Sequence, residues 1–222
     1  MCWASFLDTG VVIGYCILLD DHHRNCREYL EENTEAKLFI SDTVESEYQN
    51  AKQKVSRRLA NAVREHVRDI KRADCDDNLG PMELDRLQNR VLSRTNDAHQ
   101  FLYDFYGEGV GNFIQKDELC DRLRTLAREI ESFPLEQKQK LDSRLTLWEC
   151  ENSHDGIEAS LSMVPIDDRR ICIEAHDLAC CNDIHTEFAT VNPRDFINGG
   201  TEEMILEVTE IDEIENLAVG SY

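Results

Sequence analysis

The residues of this chain best suited to chemistry are acids that stand just past short apolar runs. Ala4-Ser5-Phe6-Leu7 stops on Asp8-Thr9-Gly10, and Lys37-Leu38-Phe39-Ile40 stops on Ser41-Asp42-Thr43 with Glu45 and Glu47 close behind. Further on, Leu161-Ser162-Met163-Val164 is followed by Asp167 and Asp168, and Glu187-Phe188-Ala189-Thr190-Val191 by Asn192 and Asp195. Carboxylates gathered in one pocket cannot all stay ionised unaided, because two of them about 5 Å apart at an effective dielectric of ~20 repel by roughly 3 kcal/mol. A divalent cation removes that repulsion. Oxygen ligands with no His or Cys among them suit Mg²⁺ or Mn²⁺ and argue against zinc, and one or two such ions activate water for attack on a phosphate. Each acid also has a plain use as a helix cap or a first-turn charge.

Nine cysteines, at 2, 16, 26, 75, 120, 150, 172, 180 and 181, offer a second chemistry. Their number is odd and no Cys-x-x-Cys occurs, so buried free thiols are expected. His22-His23-x-x-Cys26 together with Cys180-Cys181-x-x-x-His185 is the pairing that zinc would use.

Elements must hold these residues. The apolar runs at 4–7, 37–40, 161–164, 187–191 and 204–208 read as strands. Helices are expected over Thr9–Leu19 and Arg24–Glu32, from near Val44, and after Pro165, where Ile171, Cys172, Ala175, Leu178 and Ala179 make one apolar stripe. The His22-His23 pair reads as a solvated loop, and the segment after 208 as an acidic tail. An acid at the carboxyl end of a strand, beneath a helix start, stands where open α/β sheets bind ligands.

From Tyr48 to about Trp148 the apolar period becomes helical, as in Val55, Leu59, Ala62, Val63, His66, Val67 and Ile70. Breaks are expected at Asp76–Pro81, at the Gly-rich stretch 107–112, which has no phosphate-loop pattern, and at Phe133-Pro134. Arg57, Arg58, Arg64, Arg68, Lys71 and Arg72 form a local basic excess, either a solvated helix face or a phosphate-facing surface.

Over 222 residues, Asp and Glu total 45 against 24 Lys and Arg, a net charge of −21, and the basic set holds seven Lys against seventeen Arg. This acidic, Lys-poor surface resembles the proteomes of salt-accumulating organisms. Such a field repels nucleic acid at low salt, so any nucleic-acid contact has to be local. No apolar run is long enough to span a bilayer and no signal-type leader is evident, which gives the expectation of a cytoplasmic protein with no membrane partner.

Four segments taken together resemble the PIN domain: Phe6-Leu7-Asp8-Thr9-Gly10, Ile40-Ser41-x-x-Val44-x-x-Glu47, Asp168-Arg169-Arg170-Ile171-x-x-x-Ala175, and Ala189-Thr190-x-Asn192-x-x-Asp195-Phe196. The resemblance covers roughly residues 3 to 50 and 160 to 210. That family includes the ribonuclease toxins of VapBC-type toxin–antitoxin modules and RNA-processing endonucleases, archaeal ones among them. It implies a three-layer α/β/α fold with a central parallel sheet of four or five strands, formed by a single PIN-like domain over 1–222 with an α-helical insertion at 51–150. It also implies a metal-dependent endoribonuclease that cuts RNA to a 5′-phosphate and a 3′-hydroxyl. Asp8, Glu47, Asp168 and Asp195 would be both the catalytic and the Mg²⁺- or Mn²⁺-binding acids, with Thr9 supporting them by a hydroxyl hydrogen bond and Glu174 and Asp177 as outside candidates. RNA is the implied substrate, and an antitoxin protein and a second copy of the chain are implied partners. The alternative is an inactive PIN-like scaffold whose helical insertion binds a protein. Two departures from the family pattern are Gly10, where relatives often carry Asn, and Asn192, where they often carry an acid.

Overall fold

The structure is a computed structural model that describes residues 3–18, 20–92, 102, 105–150, 152, 154–181 and 184–218. It forms two compact units, Met1–Lys52 with Leu135–Tyr222, and Gln53–Pro134.

The first unit is built on a five-stranded, all-parallel sheet: β1 (Ala4–Leu7), β2 (Lys37–Ser41), β5 (Leu145–Trp148), β6 (Thr186–Thr190) and β7 (Glu213–Asn216), in the order β5-β2-β1-β6-β7. Helices on both faces complete three α/β/α layers. They are α1 (Thr9–Cys16), α2 (His23–Glu32), the start of α3 (Asp42–Arg72), the end of α5 (Lys116–Asp142), α6 (Asp155–Ser160), α7 (Ile166–Cys181), α8 (Pro193–Phe196) and α9 (Thr201–Val208). β1 lies at the centre and is buried at all four positions, as a parallel strand covered on both faces must be. Its Phe6 ring lies 6.4 Å from that of Phe188 on β6, which in turn meets Phe196 of α8 edge-on at 5.1 Å.

Two glycines let α1 sit close to its neighbours. A Cβ on Gly10 would lie 2.4 Å from Val191 Cγ2, and one on Gly14 would lie 2.6 Å from Cys26 Sγ. The departure at Gly10 therefore has a packing cause. Any side chain there would push against the end of β6.

Several expectations are corrected. Residues 204–208 are not a strand but most of α9, and the last strand is β7, within the stretch read as an acidic tail. Leu161–Val164 is a turn, in which Leu161 and Val164 are buried. Leu145–Trp148, inside the range 51–150 expected as a helical insertion, pairs with β2 and belongs to the sheet. The helix expected to run to Leu19 stops at Cys16, and residue 19 lies outside the described residues. Pro134 does not break α5, which runs through it.

The second unit is helical. It holds the rest of α3, α4 (Pro81–Leu92) and the start of α5, with a two-residue antiparallel pair of β3 (Asn78–Leu79) and β4 (Ile114–Gln115). Leu59, Val63, Ile70, Leu87, Leu119 and Leu123 are buried there. His66 is also buried and meets the Tyr106 hydroxyl, and burial pushes its imidazole down to about 4.

Candidate active site at the carboxyl edge of the sheet

The chain leaves β1 toward β2 on one side and returns to β6 on the other, so the strand order reverses between β1 and β6. Open parallel sheets present a crevice there, outside the strands' carboxyl ends. Asp8 follows β1 directly, and its N–H donates to Ala189 O of β6 at 3.0 Å. Glu47 lies in the second turn of α3, Asp168 in the first turn of α7 and Asp195 in α8, just beyond β6. All four belong to the first unit.

Asp8 occupies the N-cap position of α1, yet its side chain makes no capping hydrogen bond. It is only 5% exposed and accepts instead from Thr190 Oγ1 at 2.9 Å. Burial pushes its carboxyl up to about 6; the Thr190 hydroxyl opposes that rise, and the charges of Asp168 and Glu47 add to it. Asp168 is half-buried and also raised, by burial and then by Asp195, Glu47 and Asp167. Among the described residues no hydrogen bond reaches its carboxylate. These mutual charge effects link Asp8, Glu47, Asp168 and Asp195 into one electrostatic group.

Neighbouring side chains hold the group in place. Thr9 donates its hydroxyl to Glu47 Oε2 at 2.6 Å, the support expected of it. Asn192 donates Nδ2 to Asp195 Oδ2 at 2.7 Å, and its backbone N–H donates to Thr190 Oγ1 at 3.0 Å. Thr190 has a single hydroxyl proton. With its oxygen accepting from Asn192, that proton is committed to Asp8.

The acids not chosen have other uses. Glu45 pairs with Lys138 Nζ at 2.7 Å, a buried ammonium that also meets Asp142 and lies 5.5 Å from the Tyr48 ring centre. Buried Glu174 accepts from Ser41 Oγ at 2.6 Å, Thr43 Oγ1 at 2.7 Å and Arg170 Nε at 3.0 Å, which fastens α7 to the start of α3. Asp167 is exposed.

Asp177 lies in a different cluster. The Cys150 thiol, the His154 imidazole and the Asp177 carboxylate bring one ligand atom each to within 4.8 Å of one another, a group able to coordinate a metal ion. Among the described residues no other three His, Cys, Asp or Glu side chains, the four acids included, are drawn together that tightly.

The pairing that zinc would use, set aside in favour of buried thiols, does not form. Cys26 is buried against α1, His23 Nδ1 meets Gly14 O at 2.8 Å rather than solvent, and His185 faces Asp212 and Glu213, each at 3.5 Å. Of the thiols expected to be buried, Cys16, Cys26, Cys120 and Cys172 are, whereas Cys150, Cys180 and Cys181 are exposed. Cys172 is packed beneath the acids. Burial, then Asp8 and Asp168, pushes its thiol well above the usual range, so it is inert.

In the second unit, Arg64, Arg68 and Lys71 of α3 line a pocket with Val67 and with Arg124 and Arg128 of α5. Arg64 is held by both oxygens of Glu131, and Arg124 pairs with Asp121. Arg68, Lys71 and Arg128 have no carboxylate partner among the described residues.

Thr190, Asn192, Cys150 and His154 were missed as site residues. Only the Asn192 position carried a signal, as a departure from the acid frequent there. No helix among the described residues is long and apolar enough to cross a membrane. The chain matches no protein-family model, no curated protein and no solved structure.

Proposed function

We propose that the chain is a PIN-type, Mg²⁺- or Mn²⁺-dependent endoribonuclease whose site is Asp8, Glu47, Asp168 and Asp195. The observation that carries this reading is Asp8 itself: a nearly buried carboxylate at a helix N-cap that does not cap, raised to about 6 beside other acids at the switch point of a parallel sheet.

The donor set fits a hard divalent cation, since it is all carboxylate oxygen and Asp168 accepts no hydrogen bond among the described residues. Asp8, Glu47, Asp168 and Asp195 would hold it. When bound, the cation supplies Lewis-acid chemistry toward a phosphodiester and its attacking water.

The chain's own residues perform the remaining work. Thr190 fixes one oxygen of Asp8, Thr9 fixes one of Glu47 and Asn192 fixes one of Asp195. Three of the four acids are thus oriented before substrate arrives, and Asp168 keeps both carboxylate oxygens open among the described residues. Arg68, Lys71 and Arg128 supply local positive charge to which we assign RNA phosphates, against the repulsive field of the rest of the chain.

The test is cleavage of a mixed RNA and DNA panel at high salt, with and without Mn²⁺. Asp8→Asn is expected to abolish Mn²⁺-dependent RNA cleavage while the chain stays folded, and cleavage at the wild-type rate would refute the proposal. If wild type also cuts nothing, and Mg²⁺ or Mn²⁺ fails to raise its melting temperature, the inactive scaffold replaces this reading. Neither the antitoxin nor a homodimer enters the test.

A further inference from the structure

The end of β5 and the stretch after it carry Trp148, Cys150, Asn152 and His154 at alternate positions, and all four side chains turn toward α7 around Asp177. Asp177 is completely buried. Trp148 Nε1 donates to its Oδ2 at 3.1 Å, while Asn152 Nδ2 and His154 Nε2 both meet Oδ1 at 2.7 Å. The His154 ring packs edge-on against His176 at 4.7 Å, and His176 Nδ1 accepts the Glu210 N–H at 2.9 Å, which fixes that second ring in turn.

We propose that Cys150, His154 and Asp177 form a Zn²⁺ site, distinct from the acid cluster, that fastens the segment after β5 to α7. The donor set decides the metal. One thiol sulfur, one imidazole nitrogen and one carboxylate oxygen suit zinc and are poor ligands for Mg²⁺ or Mn²⁺. Three protein ligands leave a fourth position to water.

The spacing suits the ion. Zn–S of ~2.3 Å and Zn–N or Zn–O of ~2.0–2.1 Å place neighbouring tetrahedral ligand atoms roughly 3.3–3.6 Å apart. The three atoms already lie within 4.8 Å of one another, so binding widens the 2.7 Å His154–Asp177 contact by roughly 0.6 Å and sets the Cys150 sulfur at roughly 3.6 Å from the other two. Trp148 is then the partner that orients the ligating carboxylate through its other oxygen, as metal ligands usually require.

The protons balance simply. Cys150 gives up its thiol proton to solvent as the Zn–S bond forms. His154 shifts the proton that bridges Nε2 and Asp177 to Nδ1 and binds through the bared Nε2, and Asp177 binds as the carboxylate. One proton is released per zinc bound, and affinity falls tenfold per pH unit below the thiol's titration.

The full chain is stripped with chelator and titrated with Zn²⁺ against a chromophoric competitor, and separately with Co²⁺. Wild type is expected to take up one equivalent of zinc in excess Mg²⁺ and to show a thiolate-to-cobalt charge-transfer band. Cys150→Ser, at an exposed position, is expected to lose that band and at least 100-fold in zinc affinity. His154→Gln is expected to lose a comparable amount. Asp8→Asn is expected to keep both band and affinity, so the outcome is separate from that of the cleavage assay. Absence of the band in wild type, its persistence in Cys150→Ser, or displacement of zinc by Mg²⁺ would overturn the site and leave a hydrogen-bonded network alone.

Discussion

Asp8→Asn replaces a carboxylate that the fold holds at a cost. In the unfolded chain the group titrates near 3.8, and in the folded chain it is pushed up to about 6. Below pH 3.8 both states are protonated and Asp8 costs nothing. As the pH rises from 3.8 to about 6 the unfolded chain ionises first, so stability is lost through that window and stays lost above it. At ~1.4 kcal/mol per pH unit the loss reaches about 3 kcal/mol, an upper figure because relaxation and water entry reduce it. Asn keeps the shape and its carbonyl still accepts the Thr190 hydroxyl. The variant is therefore expected to be more stable than wild type at pH 7 by up to about 3 kcal/mol, or about 6–12 °C in melting temperature. At pH 4 the two are expected to converge. Paired urea or thermal melts at pH 4 and pH 7, in chelator, measure both. A variant less stable than wild type at pH 7, or a gap that does not change between the two pH values, would refute the argument that Asp8 is held against its preference for water.

Three other outcomes follow from the same geometry. Glu47→Gln is expected to remove cleavage with little loss of stability, whereas Glu45→Gln, which leaves the buried Lys138 with one fewer anion, is expected to destabilise by about 1–3 kcal/mol and retain cleavage; urea melts and the RNA assay separate the two. Gly10→Val is expected to cost about 1–3 kcal/mol by driving a side chain into Val191 and to reduce cleavage, since Val191 lies between Thr190 and Asn192; denaturant melts read the cost. His66 titrates at about 4 in the folded chain and near 6.5 when unfolded, so its contribution is intact above pH 6.5 and lost as the pH falls to about 4, by up to about 3 kcal/mol; His66→Gln is expected to flatten that dependence in melts followed across the range.

What could be read in the sequence followed burial. β1, β2 and β6 are central or nearly so and covered on both faces, and each has an apolar centre, Phe6-Leu7, Leu38-Phe39-Ile40 and Phe188-Ala189, so they were legible and the acids beyond them were legible with them. β5 and β7 lie at the sheet's two edges. Leu145-Thr146-Leu147-Trp148 directly follows a long helix and is only partly buried, and Glu213-Ile214-Glu215-Asn216 has one buried side chain. Neither has a run that distinguishes a strand from what surrounds it. Met204–Val208 failed for the opposite reason, since an apolar run as short as Met204-Ile205-Leu206, with Val208 beyond Glu207, fits a buried strand and a helix equally and periodicity cannot decide. The hydroxyl and amide that orient the acids were not legible either. Thr190 and Asn192 become partners of Asp8 and Asp195 only when β6 is laid beside β1. Cys150 and Asp177 are joined by the same kind of long-range event, the return of α7 across the segment after β5.

The register of the last strand carries a consequence of its own. β7 sets Glu213 directly beside Glu187 of β6, and burial together with these neighbouring charges raises the carboxyls of Glu187 and Glu215. The outermost seam of the sheet is thus sewn against its own electrostatics. Exposed charges this close are relieved by dissolved ions within a Debye length of roughly 8 Å at physiological ionic strength, or about 3 Å at 1 M. Dissolved salt is therefore expected to steady β7 against β6, while the aromatic contacts of Phe188 with Phe6 and Phe196 owe it little.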